Sequence, residues 1–199
     1  EDGVATDYDS QGNIYWLSNT YDDQTVGNGT FQFRPNISKL DSNGSLQWMK
    51  TYSWDGYEGF AGGLAVDSED KVVLSFNKWD NLNPGRYDPV VRRINADGQS
   101  LWTRRYHIDG SEGGVGTQLT LDNDDNIYIS NGRYDYSLDN AALWTAKLDI
   151  QYGKEIWQQQ ITQENINFYG PWTGNNINYA GPGVAVDSQH YHIAGMTFT

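Results

Sequence analysis

The chain contains no cysteine. Disulfides, thiolate nucleophiles and cysteine-ligated zinc are therefore excluded. A secreted chain of 199 residues does without disulfides if its core is adequate. No apolar run approaches the roughly 18 residues of a bilayer-spanning helix, and mean hydropathy is −0.71, so no membrane span is expected. Basic residues are scarce: 13 Lys and Arg stand against 26 Asp and Glu, a net charge of −13. Nucleic acid binding needs a basic stripe that displaces counterions from phosphate, so nucleic acid is not an expected partner. Anionic membrane surfaces are disfavoured for the same reason. There are three histidines, His107, His190 and His192. The last two alternate along the chain with no evident third ligand, so no metal site is expected. No G-x-S-x-G, P-loop or dinucleotide fingerprint stands in the right context, and no cofactor is expected.

What is present is repetition. Fourteen per cent of residues are aromatic, which argues for a packed core. KLDSNGSLQWMKTY from Lys39, RINADGQSLWTRRY from Arg93 and KLDIQYGKEIWQQQI from Lys147 share a pattern: basic, aliphatic, Asp or Asn, a turn with Gly, then Trp. Their tryptophans, Trp48, Trp102 and Trp157, are 54 and 55 residues apart. A second motif alternates with the first: GVATDYDSQGNIYWLSN from Gly3, GLAVDSEDKVVLSFN from Gly63 (the numbering of its Leu-Ala-Val-Asp core runs 64–67), QLTLDNDDNIYISNG from Gln118 and GVAVDSQHYHIAGMT from Gly183. Each reads as two short strands about a polar turn. No segment carries a 3.6-residue period over three turns. Each unit of about 55 residues thus holds four strands, a–b in the AVD hairpin and c–d in the KLD hairpin.

Four antiparallel strands per repeat describe a β-propeller blade. The AVD-x-x-x-N-I-Y and K-L-D-x-x-G-x-x-x-W patterns resemble the bacterial β-propeller repeats labelled SBBP, over nearly the whole chain. The expected fold is all-β: a β-propeller of four-stranded antiparallel blades, three and a half present. Residues 1–199 form one repeat region, with blade 1 at about 3–52, blade 2 at about 63–106, blade 3 at about 116–161 and a half blade at about 183–199. The stretch 162–182 reads as an inserted loop. Solenoid coils repeat in roughly 20–30 residues and sandwiches need not repeat, so both fit less well.

Four a–b hairpins stand against three c–d hairpins. The chain begins at Glu1 without Met or a signal-like segment. The expectation is a piece of a longer propeller of roughly six to eight blades. The other reading is an assembly in which a neighbouring subunit covers the open edge.

Candidate ligand residues fall on the face of the b–c and d–a connections. An aromatic followed by Asp recurs after strand b: Tyr21-Asp22, Trp79-Asp80 and Tyr134-Asp135, the last read with one residue extra. Asp-Gly-x-Glu-Gly recurs before strand a: Asp55 with Glu58, and Asp109 with Glu112. An aromatic face stacks on sugar C–H groups and a carboxylate accepts hydroxyls, while an aromatic also suits a cation. Blade-to-blade packing accounts for the same recurrence. Two similar carboxylate pairs do not make the asymmetric acid and base of a glycosidase, so no catalytic residue is assigned and the reading leans away from an enzyme. DNDDN at Asp122–Asn126 resembles a calcium loop in oxygen content but occupies an a–b turn and lacks the EF-hand Gly and Glu. Asn28, Asn36 and Asn43 head N-glycosylation sequons.

These features predict an extracellular or cell-surface, acidic, non-catalytic interaction or structural module, with a protein partner or further copies of itself. A lectin-like glycan binder is the alternative, and a fragment of a propeller hydrolase or lyase a second one.

Overall fold

In the computed structural model the described residues are 2–22, 32–52, 58–79, 87–108, 112–135, 140–163, 183–186 and 192–195. They are all-β, with no helix among them. Sheet 1 is a meander of β1 (Asp2–Tyr8), β2 (Ile14–Asp22), β3 (Gln32–Leu40) and β4 (Leu46–Thr51). Sheet 2 repeats it with β5 (Glu58–Val66), β6 (Val72–Trp79), β7 (Tyr87–Ile94) and β8 (Ser100–Arg105). Sheet 3 repeats it again with β9 (Glu112–Leu121), β10 (Ile127–Asp135), β11 (Asn140–Leu148) and β12 (Glu155–Gln163). A two-stranded sheet follows, β13 (Gly183–Val186) with β14 (His192–Gly195). All pairings are antiparallel.

β5 and β9 begin at Glu58 and Glu112, ahead of the expected 63 and 116. Their early halves are glycine-rich and their registers shift, between Glu58 and Ala61, between Ala61 and Gly63, and opposite Ser130–Tyr134. Glycines and bulges erase the two-residue alternation that marks a strand in sequence.

The hairpin turns explain most of the repeated letters. In each of the three described a–b turns the leading Asp is buried and its Oδ1 accepts two backbone amides. Asp9 takes Gln11 and Asn13 at 3.1 and 2.9 Å, Asp67 takes Glu69 and Lys71 at 2.9 and 3.0 Å, and Asp122 takes Asp124 and Asn126 at 3.0 and 2.8 Å. The other oxygen faces the basic residue of strand c in the same sheet: Lys39 at 3.7 Å, Arg93 at 2.6 Å, Lys147 at 3.3 Å. So the Asp of AVD and the Lys or Arg of KLD are two halves of one ion pair. Where Tyr15 and Tyr128 add a hydroxyl to this cluster, at 3.4 and 3.2 Å, the cation is Lys. Where Val73 stands instead, Arg93 supplies a fork, spanning Asp67 and Glu69. An Arg fork holds two acceptors that an ammonium on its own would not orient.

The c–d turns are built alike. Asp41 and Asn95 accept the amides two and four residues on, and Asp149 those of Tyr152 and Lys154. Gly44, Gly98 and Gly153 close them at φ of 82°, 72° and 64°, the left-handed region where a Cβ is costly. The extra residue in the third turn is absorbed before Gly153.

Two cores lie on the two faces of sheet 2. One joins Tyr15, Leu17 and Ile37 of sheet 1 to Leu64, Val72, Leu74, Phe76, Val90 and Ile94. The other joins Val73 and Val91, with Tyr106 and Ile108, to Leu119, Ile127, Ile129, Trp144, Ala146 and Leu148 of sheet 3. The leading strands approach closest. A Cβ on Gly62 would stand 1.9 Å from the Thr117 carbonyl oxygen, and one on Gly63 2.8 Å from the Leu119 amide, so only glycine fits where β5 meets β9. Polar side chains satisfy the amides and carbonyls freed by the bulges: Asn19 accepts from Ala61 N at 2.8 Å, Ser75 from Gly63 N at 2.9 Å, and Gln118 donates to Gly62 O at 2.8 Å.

Candidate functional site

The chain presents two ends, one of hairpin turns and one of strand ends where the predicted ligand residues lie. At the turn end the sheets are latched by a set that occurs twice. Trp48 donates its indole N–H to Ala96 O at 3.0 Å, Lys50 donates to Asp97 O, and Tyr52 donates its hydroxyl to Gly98 O at 2.9 Å. One sheet on, Trp102 donates to Ile150 O at 3.0 Å, Arg104 to Tyr152 O, and Tyr106 to Gly153 O at 2.7 Å. Strand d thus grips the c–d turn of the next sheet, with the indole lying over its glycine. Burial pushes the phenols of both tyrosines up, Tyr52 to about 12 despite the nearby Arg92. Both hydroxyls stay protonated and donate throughout the physiological range. The a–b turns are clasped in parallel. Ser10 donates its amide and hydroxyl to Asp70 at 2.8 and 2.6 Å, and Ser68 does the same to Asp125, its amide at 3.1 Å. Asp70 and Asp125 hold φ of 58° and 61° to reach these donors.

At the strand-end face, Tyr21 and Asp22 end β2, opposite Phe33 and Gln32. Trp79 ends β6, opposite Tyr87. Tyr134 and Asp135 end β10, opposite Ala141 and Asn140. Each aromatic stands at the same offset from its turn Asp (Asp9, Asp67 and Asp122), so the extra residue expected before Tyr134 is not there. Glu58 pairs with Lys78, the neighbour of Trp79, and Glu112 pairs with Tyr134 itself. The register therefore brings each of these glutamates to the aromatic end of its own sheet. Asp55, Asp80 and Asp109 lie outside the described residues, as does Asn28. Asn43 is exposed in its turn, whereas Asn36 is 2% exposed within β3 with its amide donating to Thr51. A glycan has no room at Asn36 in the folded chain.

One set at this end was missed by reading the repeats. Asp88 is buried, accepts two bonds from Arg105 at 2.7 and 2.6 Å, and lies 3.5 Å from His107 Nδ1. Buried Lys78 pairs with Asp88 in register. The corresponding positions are Arg34 and Thr51 in sheet 1 and Ala142 and Gln160 in sheet 3. The signal available in the sequence was the departure of sheet 2 from its siblings, which a search for recurrence passes over. Chemically the set is an arginine fork on a buried carboxylate. It fixes the β7 and β8 ends and does not hold two carboxyls of divergent acidity. Among the described residues no group of three or more metal-ligating side chains converges. The Asp122 carboxylate is already taken by Asp124 N, Asn126 and Lys147.

No family model matches this chain, and no curated protein matches it. Among solved structures it is similar to a fucose lectin from Kordia zhangzhouensis in complex with methyl-fucoside, at 11% identity and a TM-score of 0.48, over 81% of this chain and 97% of that one.

Proposed function

We propose that the chain is a non-catalytic interaction and structural module of the cell surface or extracellular space, an arc of a β-propeller with blades of the SBBP type. The observation that carries this reading is the twice-made junction: Trp48, Lys50 and Tyr52 on one turn, Trp102, Arg104 and Tyr106 on the next. A junction that recurs at the same positions turns each sheet by a similar step, as successive blades do. The residues that recur are used in turns and latches, which leaves the module's surface for partners.

A glycan-binding role is the second reading. It is favoured by the pairing of Glu112 with Tyr134 and of Glu58 beside Trp79 in register. A glycan array with wild type and Trp79→Ala separates the two. A silent array supports the interaction module. A signal that Trp79→Ala abolishes moves the assignment to the glycan binder.

A further inference from the structure

We infer that Asn43 is a self-modification site, where the backbone nitrogen of Gly44 and a water convert the side-chain amide to a carboxylate. The inference goes beyond the interaction-module reading and does not rest on it.

Asn-Gly pairs occur at Asn28, Asn43 and Asn131. Asparagine is among the thermolabile side chains, and a following glycine has no side chain to hinder its own nitrogen. That nitrogen gives up its proton and attacks Cγ of the asparagine. The Cγ–Nδ2 bond breaks, and Nδ2 leaves as ammonia with a proton. A succinimide remains, and water adds to one of its carbonyls. Opening at Cγ returns an aspartyl chain. Opening at the main-chain carbonyl leaves the chain running through Cγ, an isoaspartyl linkage. A water enters, an ammonia leaves, and nothing is oxidised or reduced.

The structure separates the pairs. Asn131 is 0% exposed in β10, and its amide donates to Thr117 Oγ1 at 2.9 Å. Gly132 lies between Val115 of β9 and Leu143 of β11 in register. Freeing the Gly132 nitrogen means opening sheet 3 on both sides of β10. Asn43 is exposed in the c–d turn of sheet 1, within an exposed run from Ser42 to Gln47. Its reacting neighbour is held locally: Gly44 N donates to Asp41 O at 2.9 Å. The amides of Asn43 and Ser45 rest on Asp41 Oδ1 at 2.9 and 2.8 Å. All of these bonds end on Asp41, so opening the turn releases the nitrogen while the strands stay paired. Asn28 lies outside the described residues.

Exposure at this place belongs to the turn and not to sheet 1 alone. Asp97 and Tyr152 hold the same position in sheets 2 and 3. Both are exposed although strand d of the neighbouring sheet grips their turns. The siblings also rank the two products. The turn of Asp97 is closed by the same bonds, made to Asn95, so an aspartate at position 43 fits. The isoaspartyl product adds a main-chain methylene between Asp41 and Ser45. Asp41 then no longer holds both amides, and the β3–β4 pairing loosens from Leu40 and Leu46. Either product adds a negative charge to a chain at −13 and removes the carboxamide that heads the sequon Asn43-Gly44-Ser45.

Ageing the folded chain at mildly alkaline pH, followed by tryptic peptide mass mapping, tests this. Trypsin places Asn28 in residues 1–39 (Arg34 precedes Pro35 and is not cut), Asn43 in 40–50 and Asn131 in 106–133, so each is read separately. The expected result is the mass gain of an amide turned acid in 40–50, with isoaspartate among the products, at least about ten-fold faster than in 106–133. In the urea-unfolded chain the two convert at comparable rates. Asn43→Gln, whose longer side chain closes the ring far more slowly, leaves 40–50 unchanged. Asn131 converting as fast as Asn43 in the folded chain overturns the proposal. So does a folded chain whose Asn43 stays intact over the time that converts it fully in urea.

Discussion

At the scale of the residue, Asp9 and Asp122, which open a–b turns, keep their charge against burial. Burial alone would push the Asp122 carboxyl up, but the Asn126 side chain, the amides of Asn126 and Asp124, and Lys147 hold it down at about 2. Lys147 is raised: burial disfavours its charge, but Tyr128 and Asp122 outweigh that. Asp9 is lowered in the same way, burial opposing and Asn13, Gln11 and Lys39 prevailing. A carboxyl whose folded pKa is depressed contributes stability that is present above its ordinary value of 3.8 and is lost as pH falls through about 2. For Asp122, with its side chain 1% exposed, that contribution is on the order of 2 kcal/mol. Urea midpoints measured from pH 5 to pH 2 should fall along this window, and Asp122→Asn should start lower at pH 5 and fall less. Equal slopes in the two proteins would show that another group titrates.

At the scale of the element, the three c–d turns form a graded series. All three glycines sit at positive φ, so alanine at any of them costs roughly 1 kcal/mol of backbone strain. At Gly44 the new Cβ meets nothing. At Gly98 it comes within 2.8 Å of Lys50 Cδ, part of a flexible chain, and 3.1 Å of the Trp48 ring. At Gly153 it comes within 2.7 Å of the Trp102 ring, which the Ile150 carbonyl and the sheet 3 core hold in place. Thermal denaturation should therefore rank the losses Gly44→Ala, then Gly98→Ala, then Gly153→Ala, the last exceeding the first by about 1–3 kcal/mol of overpacking. Equal losses would mean that the indoles do not rest on these turns. The turns themselves were legible from Asp, Asn and Gly at fixed offsets, since that chemistry is local. That Trp102 grips the following turn could not be read, because a carbonyl acceptor leaves no letter in the sequence.

At the scale of the whole molecule, sheet 2 carries both cores. Phe76 is fully buried between sheets 1 and 2, and Val73, its neighbour on β6 with the opposite orientation, faces sheet 3. Phe76→Ala should cost about 3–5 kcal/mol. It should lower the whole denaturation transition, including the hydrogen-exchange protection of β10 and β11 in sheet 3, because the polar contacts of Ser75, Asn77 and Thr117 tie the two junctions together. Hydrogen exchange that loosens sheet 1 while leaving sheet 3 unchanged would show the sheets to be independent units.

The amino-acid sequence alone determined the strand content, the period of about 55 residues and the place of every described hairpin turn. Turn chemistry and two-residue alternation act within a few residues and need no tertiary partner to be visible. Tertiary structure decided the rest. It joined the Asp of AVD to the Lys of KLD across the sheet, set the glycines of β5 against β9, and brought Asp88 to Arg105. Each of these depends on distances between chain segments tens of residues apart, and the same letter is core or surface according to whether another sheet lies over it.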